Sequence, residues 1–172
     1  FLKGDPEAIL MLEVASDSPE QTEKLADALI SDLKKNNFGY HFPKIHGAEI
    51  QKVHELRKAG LGLLGNIIGD PKAVACIEDT AVVLEDLPVY ISEFTKMMDG
   101  YGQQAVYYAH AGAGEIHLRP ILNLKKKEDV KLFREITTAT AKLVKKYNGS
   151  FSGEHGDGIV RSEFHEMMFG KK

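Results

Sequence analysis

Residues 110–117 read His-Ala-Gly-Ala-Gly-Glu-Ile-His, set between two apolar runs of strand length at 105–109 and 116–122. On an unbroken strand side chains alternate between faces, so His110 and His117, an odd number of residues apart, would point to opposite sides of a sheet. Gly112 and Gly114 lift that restriction, because glycine accommodates bulges, turns and close backbone approach. Both histidines are therefore expected to face one cavity. A second glycine-rich bend, Ser-Gly-Glu-His-Gly-Asp-Gly at 152–158, places Glu154 beside His155. Imidazole nitrogens with a carboxylate suit zinc and its first-row neighbours, and three protein ligands leave a position open for water or substrate, as in catalytic rather than structural sites. His41, His46, His54 and His165 have no partner motif and read as ordinary hydrogen-bonded histidines.

The segments 110–117 and 152–158, Arg161, Leu56-Arg57-Lys58 and Ile77-Glu-Asp-Thr-Ala-Val82 together resemble the C-terminal substrate domain of the FAD-linked oxidases related to vanillyl-alcohol oxidase. Within that family the runs at 57–65 and 153–164 are most similar to the large fused flavin and iron–sulfur dehydrogenases of D-2-hydroxy acids. The resemblance covers nearly the whole chain. It implies an α+β fold with a ferredoxin-like antiparallel sheet core and added helices, and His110, His117 and Glu154 as ligands of a divalent metal, zinc or manganese. It further implies His155 as general base and Arg57 as partner of a substrate carboxylate. Arg119 is a second substrate-binding candidate, because it lies two residues past His117 and shares its strand face. Some relatives carry Asn there, and many carry Asp and Asn where this chain has Ala113 and Glu115. Glu115 is read as an extra carboxylate near the metal or, in preference, as solvent-facing, and Arg161 as either a substrate contact or a structural pair at a helix start.

Composition fits a piece of a larger enzyme. The chain has 172 residues with the apolar and charged fractions of a globular protein, enough for one domain with a sizeable core. It does not begin with methionine, which with the resemblance suggests an excised domain. The FAD-binding domain would lie upstream and the iron–sulfur domain downstream, and these would be its partners. The net charge of -3 argues against a general nucleic-acid surface, which needs clustered Lys and Arg, and the basic run 125–127 reads as a solvated loop. Cys76, the one cysteine, sits in an apolar run as a small buried hydrophobe, and alone it cannot build an iron–sulfur cluster. No apolar stretch reaches the roughly 20 residues of a membrane span, so a cytoplasmic location is expected.

Period and punctuation place the elements. Residues 9–14 form an apolar run of strand length, covered on both faces or nearly so. Ser18-Pro-Glu-Gln21 then supplies a helix cap, a proline in the first turn and a glutamine at capping-box spacing, with Leu25, Ala28, Leu29 and Leu33 following at helical period. A short strand at 40–44, a helix at 48–58 and a strand at 72–78 come next. A helix opening at Asp86-Leu-Pro88 buries Ile91, Phe94, Met97 or Met98, and Tyr101. A last helix at 129–147 buries Phe133, Ile136, Thr140, Leu143 and Tyr147. This order describes an α+β sheet with helices packed on one face. Gly60-Leu-Gly-Leu-Leu-Gly65 matches the dinucleotide fingerprint literally, but it follows a helix-like segment instead of a strand and is read as a mobile segment near the substrate.

For a D-2-hydroxy acid such as D-2-hydroxyglutarate or D-lactate, the resemblance implies oxidation to the 2-oxo acid. A metal would polarise the hydroxyl, His155 would take its proton and the flavin would accept the hydride. Two other readings of the same residues stand beside it. One is a self-contained metal-dependent hydrolase using the His, His, Glu site; the other is a non-catalytic interaction domain with structural histidines.

Overall fold

The computed structural model describes residues 1–171, apart from the side chain of Leu61. They fall into two compact units, Phe1–Lys58 and Ala59–Lys172. In the first, helix α1 (Pro19–Lys35) starts where the capping signal lies, with Ser18 Oγ accepting from the Gln21 N–H at 3.2 Å. Helix α2 spans Ile50–Leu64.

The expected strands at 9–14 and 40–44 are not formed. A strand is held by a ladder of hydrogen bonds to a neighbour, and Tyr40, for instance, bonds instead through its hydroxyl to the Lys3 carbonyl at 3.0 Å. Ile9, Leu10, Met11 and Leu12 are exposed, so the doubly covered strand read from their apolarity is absent. Gly60 and Gly62 lie inside α2 and not in a loop, which removes the strand-to-helix turn that a dinucleotide fingerprint requires.

The second unit is an antiparallel sheet with helices, the α+β class expected from the sequence. Its strands are β1 (Lys72–Ala73), β2 (Ile77–Ala81), β3 (Ala105–His110) and β4 (Glu115–Leu122), and β4 pairs with each of the others. The single strand expected at 72–78 is thus two, broken at 74–76. Helix α3 (Leu87–Gly100) and helix α4 (Lys127–Lys146) contribute Leu87, Tyr90, Phe94 and Met98, and Ile136, Thr137, Thr140, Ala141 and Val144, to the core. These meet Ile77 on β2 and Ile116, Leu118 and Leu122 on β4. Burial of this apolar face is the main stabilising term, at about 25 cal/mol per Å². The Tyr90 hydroxyl is satisfied by Thr80 Oγ1 at 3.0 Å, and Phe94 meets Tyr107 edge to face. Short helices α5 (Gly158–Arg161) and α6 (His165–Phe169) complete the unit.

Since Ile116 and Leu118 point into the core, alternation sends Glu115, His117 and Arg119 to the opposite face of β4. One face of the sheet is therefore packing and the other is available for chemistry.

Candidate metal centre

The two histidines meet through a hairpin. Strands β3 and β4 pair in a register that sets His110 opposite Glu115, Tyr108 opposite His117 and Val106 opposite Arg119. Directly opposed residues share a face, and so do residues two apart along a strand, so Tyr108, His110, Glu115, His117 and Arg119 form one patch. The reversal is a 3-10 turn at Ala111–Ala113 closed by Gly114 in the left-handed region at φ 70°. The parity problem is thus solved by chain reversal and not by a bulge between the histidines. Gly114 is required for it: a Cβ there would stand 2.1 Å from the Val82 carbonyl oxygen.

A bulge does lie opposite His117, on β2. Ile77 pairs with Leu118 and Thr80 with Ile116, so Glu78 and Asp79 together face the single residue His117. Asp79 takes φ 44°, unusual for a residue with a side chain. Bulges re-aim side chains, and this one surrounds the imidazole with acidic residues. The Asp79 N–H faces His117 Nδ1 at 3.3 Å, and Glu78 Oε1 lies 3.7 Å from the same nitrogen.

The 152–158 bend is tied to this bulge. Asp79 Oδ2 accepts from the Glu154 and His155 N–H groups, both at 2.6 Å, and from Ser152 Oγ at 2.9 Å. Asp79 Oδ1 accepts from Arg161 at 2.8 Å. Burial of the Asp79 carboxyl works against its ionisation, but the two backbone donors, Arg161 and Ser152 outweigh that and lower its pKa to about 2. Arg161 is buried and also donates to the carbonyls of Phe151, Gly156 and Glu78, which settles it as a structural residue.

The bend brings Glu154 and His155 to the hairpin face. One ligand atom each from His110, His117 and Glu154 lie within 4.8 Å of one another, and so do one each from Glu78, His117 and His155. Glu154 Oε1 is 3.9 Å from His110 Nε2, and its Oε2 is 3.5 Å from His155 Nε2. The His117 ring is stacked between Tyr108 (centroids 4.6 Å apart) and His155 (5.5 Å). Burial lowers the His117 pKa, against the pull of nearby Glu78, so the ring is held neutral and able to ligate.

Glu115, expected at the solvent, is only 4% exposed. Its Oε1 has no hydrogen-bond partner and stands 3.5 Å from His117 Nε2. Burial, then the neighbouring Glu154 and Asp79 carboxylates, raise its pKa to about 7. This orphaned buried carboxylate oxygen stands beside His117, with Glu154 as a further neighbour. The residues present therefore fit a divalent ion, which His110, His117 and Glu154, or Glu78, His117 and His155, could hold.

Among relatives, the family of FAD linked oxidases, C-terminal domain, matches this chain over residues 2–172. The chain belongs to that family. A D-2-hydroxyglutarate dehydrogenase of Pseudomonas putida is 36% identical over 180 residues, covering 99% of this chain and 18% of the relative. A protein of the same name from Haemophilus influenzae is 44% identical over 120 residues, covering 70% of this chain and 12% of the relative. One from Escherichia coli is 35% identical over 125 residues, covering 73% and 12%. The chain spans less than a fifth of the length of these curated relatives.

The remaining expected site residues of this FAD linked oxidase domain are two arginines. Arg57 is on α2, in the first unit. Arg119 is on the hairpin face as expected, but its Nη2 already donates to Glu78 Oε1 at 2.6 Å, while its buried Nε has no hydrogen-bond partner among the described residues. Glu78 and Asp79 carry no role in the sequence analysis, and Glu115 is placed there at the solvent by preference. The signal for the first two was an adjacent acidic pair inside an otherwise apolar strand run, which a buried strand does not carry without a reason. No helix among the described residues is long and apolar enough to cross a membrane.

Proposed function

We propose that this chain is the substrate and metal domain of an FAD-dependent dehydrogenase that oxidises a D-2-hydroxy acid, D-2-hydroxyglutarate before D-lactate, to the 2-oxo acid. The observation that carries the reading is the convergence of His110, His117 and Glu154 on one point, with His155 beside them. The names of the relatives favour the five-carbon diacid.

When bound, a divalent ion supplies Lewis-acid polarisation of the substrate hydroxyl and the flavin supplies the hydride acceptor. The chain's own residues do the rest. His110, His117 and Glu154 would hold the ion. His155 takes the hydroxyl proton. Arg119, on the hairpin face, would bind a carboxylate of the acid, a task suited to the planar guanidinium fork; Arg57, in the first unit, is a carboxylate partner on the family resemblance alone. The flavin-binding and iron–sulfur units of the intact protein lie outside this chain.

The test is steady-state reduction of an artificial electron acceptor by the intact flavoprotein. D-2-hydroxyglutarate is expected to be turned over, the L enantiomer not, and activity is expected to vanish on chelation and return with zinc or manganese. His155→Ala should lower kcat by about 10²–10⁴-fold. Full activity after complete metal removal, or in the His155→Ala protein, would overturn the assignment.

A further inference from the structure

Asp79 touches both halves of the candidate centre. Its backbone N–H faces His117 on the hairpin, its carbonyl accepts from the Gly153 N–H at 2.7 Å, and its carboxylate takes the N–H groups of Glu154 and His155. The side chain is wholly buried, sits at a bulge with φ 44°, and is fixed from behind by Arg161. Two consecutive backbone N–H groups clamped on one carboxylate oxygen fix the peptide planes on either side of Glu154, and so the directions in which the Glu154 and His155 side chains leave the chain. Gly153 allows the approach: a Cβ there would press on the Asp79 carbonyl oxygen at 3.1 Å.

We propose that Asp79 is the positioning residue of the centre, setting through the 152–155 backbone the placement of Glu154 as ligand and His155 as base; the inference rests on the functional reading above. Asp79 does not touch metal or substrate in this account. It acts on the chemistry only by orienting groups that do, and the β2 bulge exists to deliver it.

Asp79→Asn keeps the shape and removes the charge, and one amide orientation sets an NH2 group against the two backbone N–H donors. In the folded variant of this chain the zinc dissociation constant, measured by chelator competition, is expected to weaken by about 10–100-fold, the range for losing an outer-shell partner. Amide hydrogen exchange at Glu154 and His155 is expected to accelerate. In the intact flavoprotein at saturating metal, kcat should fall with little change in KM, since the groups proposed to bind the acid are untouched. Val144→Ala, a core truncation away from the centre, serves as the control: it lowers thermal stability and leaves the zinc affinity alone. If Asp79→Asn does not fold, Ser152→Ala removes one donor from the same oxygen and is expected to weaken zinc binding at least about twofold.

A folded Asp79→Asn with wild-type zinc affinity and wild-type exchange at 154 and 155 overturns the inference, as does an unaltered affinity in Ser152→Ala where Asp79→Asn is unfolded. A wild-type chain that takes up no zinc or manganese, while Asp79→Asn still releases the two amides to exchange, contradicts the functional reading but leaves the positioning role standing.

Discussion

Replacing Gly114 by alanine should be costly, whereas the same change two residues earlier should be nearly silent. Gly114 occupies φ 70°, where an L residue costs about 1–2 kcal/mol. The added Cβ would lie 2.1 Å from the Val82 carbonyl oxygen, about 1 Å inside ordinary contact, so one backbone must move. The Val82 N–H donates to the Gly114 carbonyl at 3.0 Å, and Val82 is buried, so movement strands a donor at about 1–3 kcal/mol. Together these predict a loss of about 2–5 kcal/mol for Gly114→Ala, large against a typical domain stability of about 5–15 kcal/mol. At Gly112 a Cβ meets open space and φ is not positive, so Gly112→Ala should stay within about 0.5 kcal/mol of wild type. The assay is urea unfolding followed by the near-ultraviolet tyrosine signal, because five of the six tyrosines lie in the second unit, which contains the hairpin. A Gly114→Ala protein within about 1 kcal/mol of wild type, or two variants of equal cost, would refute the hairpin geometry on which the centre is built.

Two further outcomes follow from buried groups. Arg161→Met removes the partner of a fully buried Asp79 and should cost about 3–5 kcal/mol in the same unfolding assay, with a near-neutral result contradicting the buried pair. Burial pushes the Cys76 thiol up to about 11, and burial likewise raises the Tyr90 phenol. Both groups hold their protons more tightly when folded, so their contribution is complete below the unfolded values of 9.0 and 10.0 and is lost as pH rises above them. Stability should therefore fall between pH 8 and 11, less steeply in Tyr90→Phe, and Cys76 should resist alkylation in the native protein at pH 8; rapid labelling there would contradict its burial.

Much of the second unit was legible in the sequence, because its signals are local. The Asp86 and Pro88 start of α3, the strand lengths flanking 110–117, and the core positions Phe94, Ile136 and Thr140 follow from period and turn chemistry. Convergence of the two histidine-bearing bends was legible too, the glycines allowing either a bulge or a turn between the histidines, and the structure has the turn of a hairpin. The β2 bulge was not legible, since no glycine or proline marks it: Asp79 adopts a positive φ because its carboxylate has four donors to satisfy, and those lie more than seventy residues away. Glu115, for which a place near the metal and one at the solvent were both open, is buried with Glu154 of that distant bend as a neighbour. The strands read at 9–14 and 40–44 failed for the opposite reason, because apolarity identifies a segment that can pair but not whether a partner is present.

The most direct test of the central claim is elemental analysis of the chain supplied with zinc or manganese, alongside His110→Ala and Glu154→Ala. Both side chains are about half exposed, so both variants should fold, as circular dichroism would verify. About one metal per chain in the wild type, lost from both folded variants, is the predicted result. Folded wild type without metal, or variants that retain it, would contradict the account.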